Sequence, residues 1–191
     1  NVAHEIRTPL TVIISLADSL IKEMKCTGDT RNKLTGIYRN CNQLRSLISE
    51  LLDFRKQEQG HTHIHARHAD MSALLRNTAT LYTEYTLGKD ITLQIEVPDQ
   101  MLMWFDPKQM QKVVSNLVSN AIKHTPQGGM VTIAAHADDT HAIITVSDTG
   151  TGIAKEDLPH LFSRFYQARN IETVADIGTG IGLNLTKGII D

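Results

Sequence analysis

The chain has 191 residues, a formal net charge of −2, 41% hydrophobic residues and 5% aromatic ones, which suits one or two soluble domains. Nothing in that balance calls for nucleic acid. No apolar run approaches the roughly 18 residues of a membrane span, and nothing at the start reads as a secretory leader. Cys26 and Cys41 are too few for a disulfide framework and fit a reducing compartment.

The first predicted helix runs from near the start to about Lys25. Ala3, Ile6, Leu10, Ile13, Ala17, Leu20 and Met24 alternate spacings of three and four, the seam of a helix packed in a bundle. His4 lies one residue off that seam and projects to solvent, with Thr8 at i+4 on the same face. Pro9 withholds an N–H from the carbonyl of Glu5, so the helix is expected to kink beside the histidine and to be able to re-aim it. A neutral imidazole is a competent phosphate acceptor near neutral pH, and Glu5 could take the proton of its other ring nitrogen. Taken alone, the pair reads first as an exposed surface histidine beside a glutamate, and the rest of the chain has to overturn that.

A polar turn at residues 26–30 is expected to end this helix. A second seam follows at Leu34, Ile37, Cys41, Leu44, Ile48 and Leu51, widened by Leu47, Leu52 and Phe54. Two helices on a short loop make an antiparallel hairpin too small to bury a core alone, so the widened stripe predicts a second copy and a dimeric four-helix bundle. The apolar pattern is lost over residues 56–60, which places a domain boundary there: hairpin 1–59, linker or edge strand 60–69, second domain 70–191. Within the linker, His61, His63 and His65 alternate, either as an exposed segment or as ligands for zinc or nickel.

The second domain opens with a helix capped by Asp70 and carrying Leu74, Leu75, Leu81, Tyr82 and Tyr85. Ile91, Leu93, Ile95 and Val97 alternate as a strand with one buried face, and Trp104-Phe105 predicts a short pairing segment. Asp106-Pro107 starts a helix through about His124. Its core face is Met110, Val113, Val114, Leu117, Val118, Ala121 and Ile122, and its polar stripe is Gln109, Lys112, Asn116, Asn120 and Lys123. Asparagine is a mediocre helix former, so two of them a turn apart suggest a role for their amides. Their oxygens suit Mg²⁺ carrying a nucleotide's phosphates, toward which Lys123 would add charge.

Two strands are expected at residues 131–136 and 142–146, the second running into Asp148-Thr149-Gly150-Thr151-Gly152. A carboxylate at a strand end can accept the exocyclic amine of adenine, and the glycines let backbone approach a purine. Gly178-Thr179-Gly180-Ile181-Gly182 precedes a helix starting near Asn184, an arrangement that cradles phosphate on free N–H groups.

In this order, the exposed histidine with its acid, the paired asparagines, Asp-x-Gly-x-Gly and Gly-x-Gly-x-Gly resemble the sensor histidine kinases of two-component signalling over nearly the whole chain. Residues 4–10 match the phosphoacceptor box, 116–125 the N box, 148–153 and 178–183 the two glycine boxes, and 161–166 the phenylalanine box. The resemblance implies an α+β chain, with the helical hairpin followed by an α/β sandwich that binds ATP through a mixed sheet covered on one face by helices. It implies that His4 is phosphorylated with Glu5 as base, and that Thr8 positions water for dephosphorylating the partner. It further implies that Asn120 holds Mg²⁺, that Asn116 and Lys123 stand beside the phosphates, and that Asp148 holds adenine, with Gly150 and Gly152 letting backbone approach it. Gly178, Gly180 and Gly182 would flank the phosphates, and residues 154–177 would form a lid with Arg164 reaching the γ-phosphate and Phe162 and Phe165 anchoring it.

ATP, Mg²⁺, a second copy of the chain and a response-regulator receiver domain, in trans or in the same polypeptide, are the implied cofactors and partners, with no nucleic acid. The family begins its first helix before Asn1 and continues the sheet past Asp191, so the chain reads as a cytoplasmic fragment, C-terminal strands missing, of a protein of the bacterial inner membrane. Two other classes compete. A clamp ATPase of the broader fold shared with gyrase and mismatch-repair proteins uses a glutamate one turn before the metal asparagine, where this chain has Asn116. A kinase-dead dimeric scaffold would have no need of His4, Asn120 and both glycine boxes.

Overall fold

The computed structural model describes residues 10–18, 20, 28–58, 64–138, 140–167 and 180–191. The chain divides into two compact units, Asn1–His61 and Thr62–Asp191. The expectations placed on His4, Glu5, Thr8, His61, His63 and Gly178 lie outside the described residues.

In the first unit residues 10–18 and 20 are helical (α1), and α2 runs over Gly28–Glu58. The second helix thus begins inside the stretch expected to be a turn. Gly28, Asp29 and Thr30 form its opening turn, where glycine and an acid are well tolerated. The seam of α1 also differs from expectation. Leu10, Ile14 and Ala17 are its buried row, whereas Ile13 and Leu20 are exposed together with Val12 and Leu16. A helix this apolar carries two candidate stripes, and the periodicity does not choose between them. In α2 the seam splits by heptads: Leu34, Cys41 and Ile48 are half-buried, and Ile37, Leu44 and Leu51 stand exposed.

The second unit has the order β1 (Arg67–Asp70), α3 (Met71–Gly88), β2 (Thr92–Glu96), β3 (Leu102–Phe105), α4 (Pro107–His124), β4 (Met130–Ala137), β5 (Ala142–Asp148), a 3₁₀ turn Leu158–His160, and α5 (Gly182–Ile190). β1 and β3 form a two-stranded antiparallel ribbon in which His68 faces Trp104. The larger sheet has the order β2-β4-β5, parallel in the first pairing and antiparallel in the second. This is the mixed sheet expected, with α3 and α4 packed on each other and on it.

Two aspartates set this arrangement from the helix ends. Asp70 caps α3 by accepting the N–H of Ser72 at 2.9 Å, and the same oxygen accepts the N–H of Met101 at 3.0 Å. Asp106 caps α4 by accepting from Lys108 at 2.9 Å and Gln109 at 3.1 Å, while its second oxygen accepts from His65 at 2.9 Å. Each cap therefore also ties its helix to a distant segment. These N–H donors hold both carboxyls below the ordinary carboxylate range, the largest contribution coming from Met101 for Asp70 and from His65 for Asp106.

The core lies between α3, α4 and the sheet. Val114, Val118 and Ile122 of α4, Leu75 of α3, and Val131 and Ile133 of β4 are fully buried. Burying each such side chain is worth about 1.5–3 kcal/mol, so this row alone commits α4 to the sheet. β5 presents Ala142, Ile144 and Val146 to the same core. Ile91 just before β2 and Leu93 within it turn inward as expected, but Ile95 is 41% exposed. β2 is an end strand of this sheet, and beside it Ala79, Thr83, Leu87, Ile91 and Ile95 line an open groove of about 370 Å³ that α3 does not fill. Leu81 and Tyr85 of α3 also stand exposed.

Candidate functional site

The candidate site is organised by α4. Its start is set by the Asp106 cap with Pro107 in the first turn, and its end by Thr125, whose backbone N–H and hydroxyl both bond the carbonyl of Ala121 before Pro126 stops the helix. With the apolar row buried in the core, the opposing stripe carries Asn116, Asn120 and Lys123, all half-buried.

Both glycine segments touch this helix. β5 ends at Asp148, whose Oδ1 accepts the N–H of Gly150 at 2.8 Å and bends the chain back toward the end of α4. There Gly150 is pressed so close that a Cβ would stand 2.4 Å from the carbonyl oxygen of His124. On the other side α5 begins at Gly182, where a Cβ would stand 2.4 Å from Oδ1 of Asn116. The Asn116 amide nitrogen donates to Oγ1 of the buried Thr186 at 2.8 Å. The structure thus gathers Asn116, Asn120, Lys123, Asp148, Gly150 and Gly182 along one helix. Gly152 follows in the same turn with φ +69°.

The segment that carries Arg164 is stitched to the start of α5. The N–H of Phe165 donates to the carbonyl of Gly180 at 2.9 Å, and the side-chain amide of Asn184 donates to the carbonyl of Phe162 at 2.8 Å. Tyr166 bonds Asp157 through its hydroxyl at 2.5 Å, closing the loop on itself. Phe162 and Phe165 do not anchor it by burial, being 47% and 62% exposed. Phe165 sits at φ +59°, a left-handed conformation, where its backbone packs against Gly180. Arg164 is exposed beside it.

The arrangement suits a nucleotide. The N-cap residue of α5 is Ile181, whose own side chain makes no cap bond, and the first N–H groups of this nine-residue helix suit a phosphate acceptor. Asn116 and Asn120 offer amide oxygens on the adjoining face, a hard donor set that Mg²⁺ with most of its waters accepts. Among the described residues no group of three or more histidine, cysteine, aspartate or glutamate side chains is placed to hold a metal, and His65 and His68 of the histidine-rich stretch are exposed.

Family models agree with this layout in both place and order. Residues 1–60 match the His Kinase A (phospho-acceptor) domain, and residues 105–191 match the histidine kinase-, DNA gyrase B- and HSP90-like ATPase. The chain is 32% identical over its whole length to the sensor histidine kinase TmoS of Ectopseudomonas mendocina, of which it spans 20%. The chain belongs to the sensor histidine kinases. Among solved histidine kinases, full-length ShkA in complex with AMPPNP superposes with a TM-score of 0.77 at 27% identity, over 98% of this chain and 39% of that one. ThkA in complex with the response regulator TrrA shares the fold, with a TM-score of 0.62 at 23% identity over 87% of this chain and 49% of that one.

Within this histidine kinase sequence, reasoning from motifs missed Thr186 and Asn184, which fasten α5 to α4 and to the Phe162 carbonyl. A signal existed for Thr186: it lies four residues after Gly182, on the same face of a helix whose first turn was already read as facing the site. Asn184 carried no such signal, because its partner is a backbone carbonyl 22 residues away.

Proposed function

We propose that the chain is the kinase core of a two-component sensor, which binds Mg-ATP on the stripe of α4, phosphorylates His4 and passes the phosphoryl group to an aspartate of a response-regulator receiver domain. The observation that carries this reading is the closure of both glycine segments on α4, Gly150 against the His124 carbonyl and Gly182 against the Asn116 amide. Asp148 would take the adenine amine, and the α5 N-terminus with Asn116 and Lys123 would take the phosphates. Asn120 would hold Mg²⁺, which when bound neutralises charge on the phosphates.

The neutral nitrogen of His4 forms the new N–P bond to the γ-phosphorus as the bond to the β-bridging oxygen breaks and ADP leaves, with Glu5 receiving the proton of the other ring nitrogen. Thr8 would position water when the regulator is dephosphorylated, and Arg164 would neutralise the γ-phosphate. Since Ile37, Leu44 and Leu51 form an exposed row at heptad spacing, α2 supports pairing with a second copy in a four-helix bundle. ATP-driven phosphorylation rather than clamp hydrolysis is favoured by Asn116, an amide that cannot act as a base where the clamp enzymes place a glutamate. Among the described residues no helix is long and apolar enough to cross a membrane.

The test is incubation of the chain with γ-labelled ATP and Mg²⁺, beside His4→Ala. Label that is lost in acid, survives alkali and is missing from the variant supports the reading. Nucleotide hydrolysis with no protein-bound label overturns it in favour of the clamp ATPase.

A further inference from the structure

We propose that Thr186 is a positioning residue of the nucleotide site, holding the Asn116 amide in the flip that leaves its carbonyl oxygen toward the first turn of α5. The inference rests on the reading above that phosphate and Mg²⁺ gather between α4 and α5.

An asparagine side chain has two orientations of nearly equal shape that exchange a donor for an acceptor. Only the carbonyl end can ligate Mg²⁺ or accept from a metal-bound water. Here the amide nitrogen donates to Thr186 Oγ1 at 2.8 Å, and Thr186 is 8% exposed, so water does not compete easily for the bond. The oxygen then faces Gly182, in the space that any side chain at that position would take.

The proposed selection has the Thr186 hydroxyl give its proton to the carbonyl four residues earlier, as other helical and helix-end threonines of this chain do. Thr78, Thr80 and Thr125 each give their hydroxyl proton to the carbonyl four residues earlier. A threonine engaged in that way can only accept from a neighbouring amide. Thr78 does both, donating to Leu74 and accepting from the side-chain amide of Gln111 at 2.8 Å. The Thr78–Gln111 pair joins α3 to α4 as Thr186–Asn116 joins α5 to α4, but its α4 partner Gln111 lies off the stripe that carries Asn116, Asn120 and Lys123. It is therefore an internal control: the same chemistry without the nucleotide.

The experiment compares Thr186→Val, Thr186→Ser and Thr78→Val in the full chain, measuring AMPPNP binding by calorimetry with Mg²⁺ and with EDTA, and melting of each protein without nucleotide. Thr186→Val is expected to weaken binding about tenfold in Mg²⁺ and to change it little in EDTA, while Thr186→Ser stays within about twofold of wild type. Thr78→Val is expected to lower the melting temperature and leave both affinities alone. If Thr186→Val does not fold, Thr186→Ala carries the same comparison. Unchanged binding in Mg²⁺, or an equal loss with and without it, overturns the proposal by assigning Thr186 to packing. Failure of wild type to bind AMPPNP under either condition overturns the nucleotide-site reading itself, and this inference with it.

Discussion

Gly180 and Gly152 share a left-handed backbone, φ +67° and +69°, but not their surroundings. An alanine at Gly152 meets nothing within 4 Å, so Gly152→Ala should cost only the left-handed penalty, about 1–2 kcal/mol. At Gly180 the new methyl would stand 2.6 Å from the Phe165 carbonyl carbon, 2.7 Å from its Cα and 2.9 Å from the Tyr166 carbonyl oxygen. All three are backbone atoms, so no side chain can rotate away. Relief requires separating residues 162–166 from the start of α5, which breaks the Phe165–Gly180 and Asn184–Phe162 hydrogen bonds. At about 1 kcal/mol each, the separation costs about 2 kcal/mol beyond the penalty the two variants share. Because the strain is released locally, its readout is local: amide exchange at Phe165 should quicken about 30-fold in Gly180→Ala and stay near wild type in Gly152→Ala. Equal exchange at Phe165 in the two variants would refute the account of this contact.

Three further outcomes follow from the structure. Asp106→Asn keeps one cap oxygen but turns an amide N–H toward the His65 N–H, and should lower stability by about 1–2 kcal/mol at neutral pH. Because the folded-state pKa of Asp106 is depressed, its contribution is fully present above the unfolded value of about 3.9 and is lost as pH falls through the folded value, so melts of wild type and variant should converge in acid. Asp148→Ala should weaken adenine nucleotide binding about 10-fold or more with or without Mg²⁺ and lower the preference for ATP over GTP in a competition assay; unchanged affinity would remove the carboxylate from the base site. Leu44→Glu, placed in the exposed heptad row of α2, should shift the chain toward monomer in sedimentation while leaving AMPPNP binding intact.

Much of the second unit could be read from local signals because those signals were strong and singular. Asp70 and Asp106-Pro107 mark helix starts by direct side-chain bonds, and the row from Val113 to Ile122 has one buried face. The stripe of Asn116, Asn120 and Lys123 was legible as the complement of that row. Ile95 was misjudged because alternation reports which face a residue lies on, not whether a neighbour covers it at the sheet's end. Ile13 was misjudged because α1 is apolar on more than one side. The stitching of Phe165 to Gly180 was out of reach of any local pattern, since backbone-to-backbone contact between segments leaves its trace only as a glycine and as a non-glycine residue at positive φ.

The contact of Gly150 with the end of α4, and of Gly182 with its middle, makes that helix a length gauge for whatever lies between them. From residue 116 to residue 124 an α-helix advances about 12 Å, whatever the loops around it do. Insertions can therefore accumulate at the β4–β5 hairpin tip, where Asp138 and Thr140 turn the chain in the open, without changing the span measured. A single residue added inside α4 would both lengthen that span and rotate one end by about 100° against the other. Natural variation in chain length should thus be dense at the hairpin tip and absent between Asn116 and His124.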